Sequence, residues 1–166
     1  MTEITLFEYL FERFYRRIEK DEEFFNYYNV DMSEAIQLAH DRAKGCLIDA
    51  LDILSSTSNL QVDFSDYDIG AEELHFNVSP SETKLIVDLM FQVYMERDLP
   101  LLHAFKINFT PSDLSVFSPA NERNSYEAFI SRLDNNNKIA LDDYKSRDRY
   151  TGKLKKTINY AAFSDI

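Results

Sequence analysis

Apolar residues recur at helical spacing in four stretches of the chain. Ile4, Phe7, Phe11, Phe14 and Ile18 follow one another at intervals of 3, 4, 3 and 4. That spacing predicts an amphipathic helix. Thr2 suits its N-cap and Glu3 its first turn, where a carboxylate meets free backbone N–H groups. Leu6, Leu10 and Tyr15 widen the apolar face, which asks for burial in the core or, as the weaker alternative, against another chain. A second helix is expected from Asp31, with Glu34 three residues on as in a capping box, to about Leu54. Its apolar stripe is Ile36, Ala43, Leu47, Ala50, Leu51 and Leu54. Ala35, Ala39, Ala43 and Gly45-Cys46 form a small-residue edge that lets another helix come close. Ser79-Pro80-Ser81-Glu82 is the clearest helix start: a cap, a proline that loses nothing at the first helical position, and a glutamate three residues after the cap. The helix runs to near Arg97-Asp98. Leu85, Ile86, Leu89, Met90, Val93 and Tyr94, with Val87 and Phe91 besides, predict a helix nearly surrounded by the rest of the protein.

The fourth pattern is the longest. Tyr126, Ile130, Leu133, Leu141 and Tyr144 fall within about a quarter of a helical circumference at 100° per residue. Asn137 lies on the same line. Because the stripe keeps its phase through Asn135-Asn136-Asn137, a continuous helix from Pro119 to about Arg147 is favoured over a break at the asparagines. Ser118 would cap it, and its length would be about 40 Å at 1.5 Å per residue. Asn137 is read as a partly exposed residue at the seam edge. The alternative is a polar residue that sets register between helices.

Residues 60–64 and 74–78 alternate apolar and polar, as half-buried strands do. They predict a β-hairpin or loop arm whose acidic tip is residues 65–73, after a polar loop at residues 55–59. Asp63, Asp66 and Asp68 invite a calcium reading, but they lack the ligand order of an EF-hand loop and its terminal glutamate. Asp21-Glu22-Glu23 precedes Phe24, Phe25, Tyr27 and Tyr28, an aromatic concentration that marks a candidate contact surface. A short helix is expected at Leu99-Pro100, a strand at residues 107–109 and a helical turn through Phe117. Past the long helix, Arg147, Arg149, Lys153, Lys155 and Lys156 oppose only Asp148. Thr151-Gly152 reads as a turn, and the remainder as a short strand or extended tail. These five cations are the second candidate contact surface.

The fold class is therefore mainly α: a helical bundle with a long C-terminal helix, a small β-hairpin or loop arm, and an extended C-terminal tail. The expected division is a helical domain over residues 1–147, with its arm near 60–78, and a tail over 148–166. A length of 166 residues suits one domain with a real core. Only 3 Gly and 4 Pro favour long regular elements. The single Cys excludes an internal disulfide and suits a reducing compartment. No apolar run reaches the length of a membrane span, and the N-terminus lacks a basic leader, so a soluble cytoplasmic product is expected.

Charge sharpens the picture. The net charge is −11, but residues 121–166 hold 9 Lys and Arg against 7 Asp and Glu. An acidic body discourages general phosphate contact, leaving the C-terminal segment to attract an anionic partner. No catalytic constellation is visible. Thr151-Gly152-Lys153 lacks the glycines of a phosphate loop, no G-x-S-x-G elbow occurs, and His40, His75 and His103 are scattered. Cys46 reads as a packed small hydrophobe. The sequence predicts no enzyme, no cofactor and no metal site.

Four strings carry a family resemblance: Leu85-Ile86-Val87-Asp88-Leu89-Met90, Tyr94-Met95-Glu96-Arg97-Asp98, Phe117-Ser118-Pro119-Ala120-Asn121-Glu122-Arg123 and Ser146-Arg147-Asp148-Arg149. Between Ser81 and Lys156 the chain resembles head–tail connector proteins of tailed bacteriophages, the adaptor rings below the portal. The resemblance implies a helical-bundle protomer in a virion neck, in a closed ring of about twelve copies around the DNA exit path. Its partners would be itself, the portal and the tail proteins, and DNA would pass without sequence-specific binding. The acidic body departs from simple DNA affinity, and repulsion would keep DNA from sticking. Ring closure needs two different faces, expected on the long helix and on the N-terminal helix or hairpin arm. The basic tail would dock on a neighbour. The competing readings are a soluble regulatory or inhibitory module that docks one phage or bacterial partner, and an enzyme of unrecognised type.

Overall fold

The third of four described helices organises the rest. The computed structural model describes residues 4–19, 30–97 and 119–155, with the backbone alone for 119–123. The helices are α1 (Phe7–Ile18), α2 (Met32–Ser55), α3 (Pro80–Glu96) and α4 (Pro119–Ser146). Each of α1, α2 and α4 packs along α3. The fold is mainly helical, as the periodicities predict, with a small antiparallel sheet of β1 (Thr5–Leu6), β2 (Tyr67–Asp68) and β3 (Glu73–Leu74) in the order β1-β3-β2.

α3 has the expected capping box: the Ser79 hydroxyl accepts from the Glu82 N–H, and the Glu82 carboxylate accepts from the Ser79 N–H. Its burial covers most of the circumference, including Glu82, Thr83, Asp88 and Gln92 as well as the apolar set, and leaves Lys84 exposed. Burying the apolar side chains stabilises the bundle by about 1.5–3 kcal/mol apiece. The four polar side chains must find partners, and those partners define the surfaces described below.

α1 begins later than its periodicity predicts. Thr5 and Leu6 belong to β1, paired with Leu74 and Glu73. The Thr5 hydroxyl donates to the Phe76 carbonyl and accepts from the Val78 N–H, and these bonds hold the segment extended. Ile4 is accordingly 52% exposed, not part of the seam. Phe7, Leu10, Phe11, Phe14 and Ile18 are buried within the chain, which decides for the core over an interchain face. Thr2 and Glu3 lie outside the described residues.

α2 starts as expected, with the Asp31 carboxylate accepting from the Ser33 and Glu34 N–H groups. Ala39, Ala43, Cys46, Leu47, Ala50, Leu51 and Leu54 are buried. Ile36 is a correction: it is 64% exposed, because the first turns of α2 project past the core. α4 is unbroken through its three asparagines. Asn137 is the second correction. It is 6% exposed, and its amide donates to Gln92 Oε1 at 2.7 Å and to the Asp88 carbonyl at 3.3 Å. A buried amide on α4 thus meets a buried amide on α3, so the register-setting alternative describes it and the seam-edge reading does not.

The hairpin is also displaced. Residues 60–64 form no strand, and the pairing lies at the tip and its junction with the second expected strand, Tyr67 opposite Leu74 and Asp68 opposite Glu73. The Asp63 carboxylate accepts from the Ser65 N–H at 2.9 Å and its hydroxyl at 2.5 Å, turning the chain before the alternation can extend. Phe64 is still buried, edge-on to Phe76. The elements expected at residues 99–117 lie outside the described residues.

Candidate interaction surfaces

Immediately after α4 the chain turns back. Asp148 accepts from the N–H groups of Tyr150 and Thr151 and from the Thr151 hydroxyl, and Gly152 adopts φ +66°, which favours glycine. Arg147 and Leu154 close the turn as a β-bridge. Residues 148–155, the start of the expected extended tail, are thereby folded and brought against α3. The anchor is Arg149. Its Nε donates to Glu82 Oε1 at 2.6 Å and its Nη2 to Glu82 Oε2 at 3.1 Å and to the Asn77 carbonyl. The Tyr144 hydroxyl donates to Glu82 Oε1 at 2.5 Å. The Glu82 side chain is 0% exposed.

This network sets the ionisation of its members. Burial alone would raise the Glu82 carboxyl, but hydrogen bonds from Arg149, Tyr144 and Ser79 outweigh it and hold it below the usual glutamate range. Burial and the neighbouring Glu82 charge push the Tyr144 phenol up. The Arg149 guanidinium is raised by its bonds to Glu82. Glu82 therefore does two things: it completes the cap of α3 and it receives the C-terminal clasp. Its capping role is visible in the sequence, but no local signal joins it to an arginine 67 residues away.

The expected basic contact surface divides accordingly. Arg149 is corrected from a surface cation to an internal anchor. Arg147 is exposed and paired with Asp143 through two 2.8 Å bonds. Lys153 and Lys155 are exposed, with no described carboxylate at ion-pairing distance. Tyr150 (85% exposed) and Leu154 (66%) stand beside them. Lys156, Phe24, Phe25, Tyr27 and Tyr28 lie outside the described residues.

A second surface was not anticipated. α1 and α4 both pack on α3 but scarcely on each other, which leaves a cleft of about 570 Å³ with α3 as its floor. Tyr9, Arg13 and Arg17 line one wall at helical spacing of four. Thr83, Val87 and Asp88 lie in the floor beside Lys84, and Leu133, Asn136, Asn137 and Ala140 form the other wall. Asp88 pairs with Arg17 and, at 2.5 Å, with Lys84. Arg17 also lies 4.5 Å from the Phe91 ring centroid. Arg13 donates to the Tyr9 hydroxyl at 2.8 Å and has no described carboxylate in reach. The Tyr9–Arg13–Arg17 row is legible in the sequence, but on a helix's polar side it cannot be told from a solvated face.

The acidic residues of the hairpin are engaged with the protein itself. Asp63 serves Ser65, Asp66 meets His75 Nδ1 at 2.7 Å, and Asp68 accepts from the Gly70 and Ala71 N–H groups. Backbone N–H bonds hold the Asp68 carboxyl below its usual range. Among the described residues no three His, Cys, Asp or Glu side chains converge as a metal site. His40 lies edge-on to Phe11 with Nε2 at 3.1 Å from Glu72, which also pairs with Lys44. Cys46 is fully buried, and burial pushes its thiol up, away from nucleophilic use.

No described helix is long and apolar enough to cross a membrane. No family model, no curated protein and no solved structure matches the chain.

Proposed function

We propose that the protein is a structural assembly subunit: a head–tail connector protomer that joins copies of itself and neighbouring portal and tail proteins around a DNA exit channel. The observation that carries this reading is the clasped C-terminal segment. An ion pair to the enclosed Glu82 and a half-buried tyrosine hold residues 147–155 in place, yet Tyr150, Lys153, Leu154 and Lys155 face outward. Exposed apolar and cationic side chains held rigidly on an acidic protein lose little freedom on docking, so contact with an anionic neighbour is favoured. Among the described residues, the polar side chains of the core, Glu82, Asp88, Gln92 and Asn137, are bonded to other groups of the chain.

The test is capture of purified portal and tail components, with electron microscopy of any complex. Binding is expected, with copies repeating around an axis. Replacing Lys153 and Lys155 with Glu, and Tyr150 and Leu154 with Ser, should abolish docking without unfolding the bundle. A protein that binds neither component would overturn the reading in favour of a regulatory module with a different partner.

A further inference from the structure

We infer that the cationic cleft between α1 and α4 receives the acidic β2–β3 tip of a second copy of this chain, so that copies join head to tail. The inference rests on the assembly reading and names the surfaces that would carry it.

The cleft and the tip complement each other in charge and in apolar content. Arg13, Arg17 and Lys84 bring three positive charges to the cleft, and Asp88 offsets one of them. Tyr9, Val87, Leu133 and Ala140 supply an apolar lining. The tip runs from Asp63 to Glu73 with five carboxylates and no Lys or Arg; Glu72 is paired with Lys44, while Asp63 and Asp68 accept only from neutral N–H and O–H groups. At its turn Ile69 is 47% exposed between Asp68 and Gly70. The turn is preorganised, because the Asp68 carboxylate accepts from Gly70 N–H at 2.6 Å and from Ala71 N–H at 2.9 Å. A rigid turn that presents one apolar side chain among carboxylates loses little entropy on entering a site with cationic walls.

The tip cannot serve the cleft of its own molecule. β3 is paired on both sides, Glu72 is tied to Lys44 and His40 of α2, and Tyr67 packs on Phe7. At 100° per residue, Phe7 lies about 160° round α1 from Tyr9 and about 120° from Arg13. Two complementary patches on different sides of one protomer make a heterologous contact. Such contacts propagate, closing into a ring when the rotation permits and otherwise extending as a filament.

Two variants break one half each: Arg13→Glu with Lys84→Ala in the cleft, and Asp66→Lys with Ile69→Arg at the tip. Sedimentation velocity and native mass spectrometry of the full chain at low salt should find the wild type associated. About 500 mM NaCl should disperse it, since the contact is largely ionic. Each variant alone should be monomeric, with self-association weakened about tenfold or more. An equal mixture should give a dimer and nothing larger, because one intact tip meets one intact cleft. Circular dichroism checks that each variant is folded, and Arg13→Ala alone replaces the cleft variant if it is not. A wild type that stays monomeric at high concentration, or variants that associate as the wild type does, would overturn the inference. Portal binding by such a monomer would leave the assembly reading standing.

Discussion

Two ion pairs on α3, six residues apart, do different work. Glu82 is completely enclosed and takes bonds from Arg149, Tyr144 and Ser79. Asp88 is also largely covered, but its partners are open: Arg17 is 34% exposed and Lys84 74%. In the first pair the carboxylate is wholly covered and takes its bonds from Arg149, Tyr144 and Ser79, so the interaction is strong and its loss leaves a bare charge in the interior. In the second, solvent screens the cations and they stay able to meet another anion. A carboxylate on one helix can therefore close a structure or prepare a surface, depending on how its cations are hydrated.

The largest effect is expected at the closed pair. Arg149→Ala should destabilise the fold by about 3–5 kcal/mol, because the Glu82 carboxylate would stay buried without its cation. Urea unfolding measures this, and limited proteolysis within residues 147–155 should accelerate in step. The pH dependence sharpens the same point. In the wild type the folded Glu82 carboxyl lies below its unfolded value, so its contribution is present above the usual glutamate range. That contribution fades as pH falls through the lowered folded value. In Arg149→Ala the same carboxyl should rise above its unfolded value, so protonation helps that variant, and the stability gap should narrow on acidification. A gap that is constant with pH would remove Glu82 from the account.

A smaller cost is expected at the buried amide pair. Asn137→Ala should cost about 1–3 kcal/mol, leaving Gln92 Oε1 without its donor, as denaturant unfolding would report. The smallest effect is expected at the open pair. A double-mutant cycle on Lys84 and Asp88 should return about 0.3–0.5 kcal/mol, as for an i,i+4 pair whose cation is open to solvent. A coupling there as large as that of Glu82 with Arg149 would erase the contrast between the two.

The helices were legible wherever local rules agree with burial. The proline and capping residues at 79–82 start α3 as expected, and the constant phase of the apolar stripe carries α4 through its asparagines. Local rules failed where a distant partner competed. The first turn of α1 was lost to pairing with β3, and the alternation at residues 60–64 was broken by the Asp63 turn. Of the basic candidates, Arg149 was named for its charge but given the wrong task, since Glu82 and Arg149 meet only when α4 lies on α3. The cleft could not be read because it is a gap between helices, and periodicity describes only one helix at a time.

The amino-acid sequence alone determined the mainly helical class, where the helices run, and the acidic body with its basic end. These follow from periodicity, capping and charge, which act between residues a few positions apart. Tertiary structure alone decided which arginine is enclosed and which is open to a partner, and that Asn137 faces Gln92 across two helices. Burial and hydrogen-bond pairing belong to surfaces that exist only once the helices have packed.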